Sequence, residues 1–158
     1  MHLDKSQIEH LDRKYKLNII NSISGIKPAN LIGTVSKDGK ENVAIFSSVV
    51  HIGSNPPQLG IIFRPQEEIQ RDTYRNILET NYYTINHVVT SIIEKAHYTS
   101  AKLNPEEFEF ARMKLKSEII SGFKAPFVAE SVIKMGMKYE ESLPLSNGCI
   151  FVIGTVEL

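Results

Sequence analysis

The sequence predicts a mainly β fold with peripheral helices, an antiparallel barrel rather than a parallel sheet. Three observations lead there. From Ala29 to Arg64 apolar residues recur in strand-length runs. Those runs are separated by the tight turns Lys37-Asp38-Gly39-Lys40 and Ser54-Asn55-Pro56-Pro57, too short for the crossover that a parallel pair needs. Helical periodicity is confined to short stretches outside that region, as expected for helices around a small barrel.

The elements follow in order. From Ser6 to Ser24, Ile8, Leu11, Tyr15, Ile19 and Ile23 fall at helical spacing, giving one amphipathic helix or two short turns. In the first strand Leu31, Gly33 and Val35 alternate with Ile32, Thr34 and Ser36, and Gly39 then supplies the positive φ of a hairpin. A long second strand runs from Asn42 to Ile52, with Val43, Ile45, Val49 and Ile52 as apolar positions. Gln58 to Phe63 reads as a third strand covered on both faces. Asp72 or Thr73 caps a helix running to Thr80, with Tyr74, Ile77 and Leu78 as its apolar stripe. Tyr82 to Val89 is a strand, and Ser91 to Ser100 is helix or loop. Asn104-Pro105-Glu106-Glu107 starts another helix, continued by Phe108, Ala111, Met113 and Leu115. Ser131 to Tyr139 and Gly148 to Val156 complete six strands. Residues 1–27 form an N-terminal helical segment and residues 28–158 the barrel domain.

Composition narrows the function. The 158 residues carry 18 Lys and Arg against 18 Asp and Glu, which argues against a general nucleic-acid binder and permits self-association. No apolar run is long enough to span a membrane and no signal peptide is legible, so a cytoplasmic protein is expected. The chain reaches Leu158 still in strand-like sequence, as a short or truncated version of a longer design would. A lone Cys149 excludes an internal disulfide and reads as a small core residue.

Most catalytic constellations are missing. His2, His10, His51, His87 and His97 show no metal-ligand spacing. Ser47-Ser48 lacks the frame of a nucleophile elbow. Glu67-Glu68, Glu106-Glu107 and Glu140-Glu141 are adjacent pairs that read as solvated charge, and no glycine-rich phosphate loop occurs. Two segments remain. Glu41 to Ser48 puts small and polar residues on a strand, where a planar ligand can approach the backbone and find edge hydrogen bonds. Gln70 to Ile77 puts Arg71 before a helix start and Thr73 in its first turn, an anion cradle to which Arg64 can add a second cation. Alone, each segment reads equally as an ordinary strand and a capped surface helix.

Read as one series, these residues resemble the flavin reductase-like, FMN-binding split-barrel family, of the flavoredoxin and short-chain flavin reductase type. The series is the Asp-Gly turn, Asn42-Val43-Ala44-Ile45-Phe46-Ser47-Ser48, the Pro-Pro turn, the strand ending near Arg64, and Arg71-Asp72-Thr73-Tyr74-Arg75-Asn76-Ile77. Downstream, Thr80 to Asn86, Glu107-Phe108-Glu109, Ala125 to Ser131 and Ile153-Gly154-Thr155-Val156 match further segments. Ile45 stands where the family pattern has Pro, and Phe127 where it has Arg. The resemblance implies a six-stranded antiparallel Greek-key split β-barrel and a homodimer with FMN, or FAD, in a groove at the subunit interface. It implies that Asn42, Ala44, Phe46, Ser47 and Ser48 line the flavin ring and ribityl chain. Arg71, Asp72 and Thr73, helped by Arg64, would hold the phosphate, and Thr99 and Ser100 would approach from a later loop. The implied activity is hydride transfer from NAD(P)H through flavin N5 to an electron acceptor, with no obligatory side-chain catalyst. The alternative is an FMN-binding electron carrier, or a flavin-binding protein without NAD(P)H turnover.

Overall fold

Seven strands form the main sheet, every neighbouring pair antiparallel: β1 (Asn30–Val35), β2 (Glu41–Phe46), β3 (Val49–Ser54), β4 (Pro57–Phe63), β5 (Tyr82–His87), β8 (Lys134–Pro144) and β9 (Ile150–Val156). They lie in the spatial order β2-β1-β5-β8-β9-β4-β3. A two-stranded ribbon, β6 (Ser117–Glu118) with β7 (Phe127–Val128), stands apart. The structure is a computed structural model and describes residues 2–66, 71–101 and 109–158. The predicted helix start at Asn104 and its Phe108 lie outside them.

The expected count of six strands is corrected to seven, and one break makes the difference. Asn42 to Ile52 is two strands, β2 and β3, parted at Ser47-Ser48. These two are consecutive in the chain yet form opposite edges of the sheet. The two-residue link therefore draws the edges together and rolls the sheet into a barrel whose seam carries no strand pairing. At the corner the Ser48 hydroxyl donates to the Ile62 carbonyl at 2.8 Å, and the Ile62 N–H donates to the Ser48 carbonyl at 3.3 Å. Serine competes for backbone partners in this way, which is why the ladder ends there.

The turns behave as the sequence predicts. Gly39 takes φ +79° in the β1–β2 hairpin, closed by a bond from Ser36 N–H to the Lys40 carbonyl at 2.9 Å. The other hairpins join β3 to β4 and β8 to β9. β8 starts later and runs further than expected, with a bulge between Tyr139 and Glu141 that reverses which residues face inward.

Alternation on β1 and β2 feeds two cores. Ile32 joins Ile61, Phe63, Tyr83, Ile85, Met137 and Val152 inside the barrel, closed over by Tyr74 and Ile77 of α3 (Asp72–Thr80). Leu31 and Val43 face the other way. They meet Ile92, Ala96, Phe110, Leu115 and Val128, from the turn at Thr90–Ile92, α4 (Ile93–Tyr98), α5 (Glu109–Arg112) and their surroundings. In the strands and α3, apolar expectations fail at Leu78, Ile52 of β3 and Ile62 of β4, all exposed; among the described residues α3, α4 and α5 pack at β1 and β2 instead of on the face that bears Ile52 and Ile62.

The N-terminal stretch is two helices. α1 (Lys5–Glu9) starts with a capping box between Asp4 and Gln7. α2 (Arg13–Ser22) starts at Asp12, whose carboxylate accepts from the N–H groups of Lys14 and Tyr15. No residue of either helix is buried.

Candidate functional site

The site is built around the open edge of β2. Asn42, Ala44 and Phe46 share one face of that strand, at alternate positions. Asn42 is buried, and its Nδ2 donates to Thr34 Oγ1 and to Thr73 Oγ1, each at 3.0 Å. Asn76 Nδ2 donates to the same Thr34 hydroxyl at 3.2 Å. One buried polar knot therefore fastens the first turns of α3 to β1 and β2, joining the two segments singled out in the sequence. Aromatic packing runs beside it: Phe46 meets Phe63 at 4.9 Å between ring centroids, and Phe63 meets Tyr74 at 5.4 Å.

A third segment closes on the same strand. The Ile45 N–H points away from β1 and donates to Thr99 Oγ1 at 2.9 Å, while that hydroxyl donates to the Ala96 carbonyl at 2.8 Å. Thr99 is buried. Antiparallel alternation sends the backbone groups of Val43 to the same open side, since Val43 opposes Gly33 two residues along. Among the described residues nothing bonds them. Val43 is fully buried, so this donor and acceptor are closed off beneath the helices packed on β2.

The start of α3 differs from expectation. Arg71, not Asp72 or Thr73, is the N-cap, and it makes no side-chain cap bond. Thr73 cannot cap because its hydroxyl is turned inward to Asn42, and the Asp72 carboxylate pairs with Arg75 at 2.5 Å. The first-turn N–H groups therefore keep no side-chain acceptor among the described residues, at the positive end of a nine-residue helix. Gln66, missed in the sequence, organises the approach. Its Nε2 donates to the Arg64 carbonyl at 2.5 Å and its Oε1 accepts from the Arg71 N–H at 2.8 Å. The backbones of both arginines are thus tied to one carboxamide. Both side chains are exposed, and neither meets a carboxylate among the described residues.

The remaining predicted residues divide. Ser47 is exposed at the barrel corner, with no hydrogen bond among the described residues, whereas Ser48 is committed to Ile62. Ser100 is exposed, its hydroxyl donating to the His97 carbonyl at 2.8 Å. Thr34, Asn76 and Gln66 were not singled out. The first two sat in segments that read as strand and helix core, and Gln66 in an unassigned loop.

An acidic neighbour tempers the cradle. Burial, and with it the nearby Asp72 carboxylate, holds the Glu109 carboxyl above its ordinary range, against a backbone hydrogen bond that lowers it. Folded Glu109 thus keeps its proton to higher pH than the unfolded chain does, so stability falls as pH rises through that window. Glu109→Gln should therefore be more stable than the parent at pH 7.5, with the gap closing toward pH ~4, where the unfolded carboxyl also protonates. Urea unfolding at the two pH values measures this; a gap that widens toward acid would contradict it.

A strand with small and polar residues beside a cation-lined helix start can hold a flat ring with polar edges and a charged tail. The fold defines a class, a mainly β antiparallel split barrel. The Flavin reductase like domain family matches residues 26–158, and the chain belongs to that family. A crystal structure from Shewanella frigidimarina NCIMB 400, described as a flavin reductase with split barrel domain, is 46% identical and superposes with a TM-score of 0.94, covering 100% of this chain and 78% of that one. Flavoredoxin of Desulfovibrio vulgaris shares the fold at 22% identity and a TM-score of 0.72, over 87% of this chain and 73% of that one. An uncharacterized protein of Aquifex aeolicus is 30% identical over 120 residues, 75% of this chain but 61% of that protein's own length. Among the described residues no helix is long and apolar enough to cross a membrane.

Proposed function

We propose that the protein is an FMN-binding flavoprotein oxidoreductase of the NAD(P)H:flavin reductase kind, working as a cytoplasmic homodimer. The observation that carries this reading is the Asn42–Thr73 hydrogen bond at 3.0 Å. It makes the strand edge and the helix start one continuous surface, where a ring and a phosphate joined by a short chain can be held together. The groups present fit FMN. Arg71 and Arg64 offer guanidinium groups, and the first turn of α3 offers N–H groups at its positive end. Ala44 leaves room beside the backbone, Phe46 gives an apolar wall and Ser47 a free hydroxyl. Thr99 acts by fixing the β2 edge through Ile45, and Ser100 follows it at the surface. Asp72 contributes through its backbone, since its carboxylate is held by Arg75. FAD would use the same groups through its FMN half.

Bound flavin would supply the hydride acceptor, at N5, for a nicotinamide donor. The chain's own residues bind and orient; none need act as acid or base. Purified protein loaded with FMN should lose its flavin absorbance when NADH or NADPH is added anaerobically. Flavin that binds yet resists both donors would assign the protein to the electron-carrier class instead.

A further inference from the structure

Arg64 and Arg71 reach the candidate phosphate cradle from different elements. Arg64 follows Phe63, the last residue of β4, and Arg71 is the N-cap of α3. The two elements are packed together where the Phe63 ring meets that of Tyr74, at 5.4 Å between centroids. Such packing fixes the elements and leaves an exposed side chain beyond their ends free to move. Both arginines are exposed and, among the described residues, neither has a carboxylate partner, so their like charges also push them apart.

One side chain opposes that separation. Gln66 Nε2 donates to the Arg64 carbonyl at 2.5 Å, and Gln66 Oε1 accepts from the Arg71 N–H at 2.8 Å. A carboxamide is planar, with its donor and acceptor at a fixed separation, so the two backbone groups are held at its two ends. The Arg71 carbonyl is already fixed, accepting from the Arg75 N–H at 3.1 Å in the first turn of α3. Gln66 fixes the other half of the same residue and, through its second bond, sets Arg64 relative to the helix start. Gln66 carries no charge and both of its polar atoms are committed to backbone groups, so it acts through the arginines and not on a ligand.

We propose that Gln66 is a positioning residue that holds Arg64 and Arg71 as a pair, and so makes the site select a flavin bearing a phosphate over riboflavin, which has the same ring and ribityl chain without one. This rests on the flavin reading above. Holding two guanidinium groups in place before the ligand arrives removes an ordering cost from binding. A phosphate can accept from both at once, and the spacing of the pair decides whether it does. Without the clamp each arginine keeps its charge but must be ordered by the ligand. The ring and ribityl chain, placed at β2, do not depend on it.

Titration of the full chain with FMN and with riboflavin tests it. Gln66→Met keeps the length of the side chain and removes both hydrogen bonds; Gln66→Ala removes the side chain as well. Both bonds lie at the surface, where water can replace them, so circular dichroism and the urea midpoint should match the parent. FMN should bind either variant about 3- to 10-fold more weakly, the scale of one ordinary hydrogen bond, and riboflavin with unchanged affinity. In an Arg71→Ala background Gln66→Met should add less than about 2-fold, because one of the two groups it positions is gone. Four results would overturn the clamp and leave the flavin reading standing: FMN affinity in Gln66→Met equal to the parent's, an equal loss for riboflavin, the same loss with Arg71 already removed, or a parent with no preference for FMN over riboflavin. A parent that binds neither flavin would overturn both.

Discussion

Replacing Phe63 by Ala should destabilise the protein by about 3–5 kcal/mol, the largest effect expected of any single substitution at the site. Phe63 is fully buried at the end of β4, with its ring against Phe46 of β2 and Tyr74 of α3. Those three rings join the β2 edge, the strand β4 next to the opposite edge, and the helix that closes the barrel. Truncation removes the transfer free energy of the ring and leaves a cavity that three separate elements would have to move to fill. Urea unfolding monitored by circular dichroism measures the loss. A change below ~1 kcal/mol, the scale of an ordinary surface substitution, would show that the three elements are not held through this ring. Where the variant stays folded, flavin affinity should fall as well, because Phe46 loses the ring it leans on.

Arg71→Ala should weaken FMN binding by about 1–3 kcal/mol, roughly 5- to 150-fold, the scale of a hydrogen bond to a charged group. Arg71 is exposed, so salt will screen part of the effect, and titration at low ionic strength should show the larger loss. Its neighbour supplies the contrast. The Asp72 carboxylate is held by Arg75 and lies near Glu109, so it adds negative charge beside the cradle. Asp72→Asn should bind FMN at least as tightly as the parent. Equal losses in both variants would mean that helix geometry, not charge, governs this end of the site. Isothermal titration of the two proteins with FMN decides between these outcomes.

Much of the architecture was legible because hairpins announce themselves locally. Gly39 had to take a positive φ, and the apolar alternation from Leu31 onward set the faces of β1. The seventh strand was hidden because nothing in Asn42 to Ile52 interrupts β propensity. The break depends on Ser48 finding its partner in Ile62 of β4, a contact that only the folded hairpin makes. Caps misled for a related reason. Asp72 and Thr73 have good capping side chains, but Arg75 and Asn42 claim them. The site was legible as two segments and illegible as a surface. Asn42 and Thr73 are 31 residues apart, and only the folded sheet brings them into contact. Gln66 carried no signal, since a lone glutamine in a loop reads as solvated until both arginine backbones are seen to converge on it.

The most direct measurement is a fluorescence titration of FMN with the purified parent protein. Saturable, stoichiometric binding at micromolar concentration, weakened in Arg71→Ala and retained in Asp72→Asn, is the predicted result. A parent protein that leaves the FMN signal unchanged even at high micromolar concentration would contradict the assignment of the β2 edge and the α3 start as a flavin site.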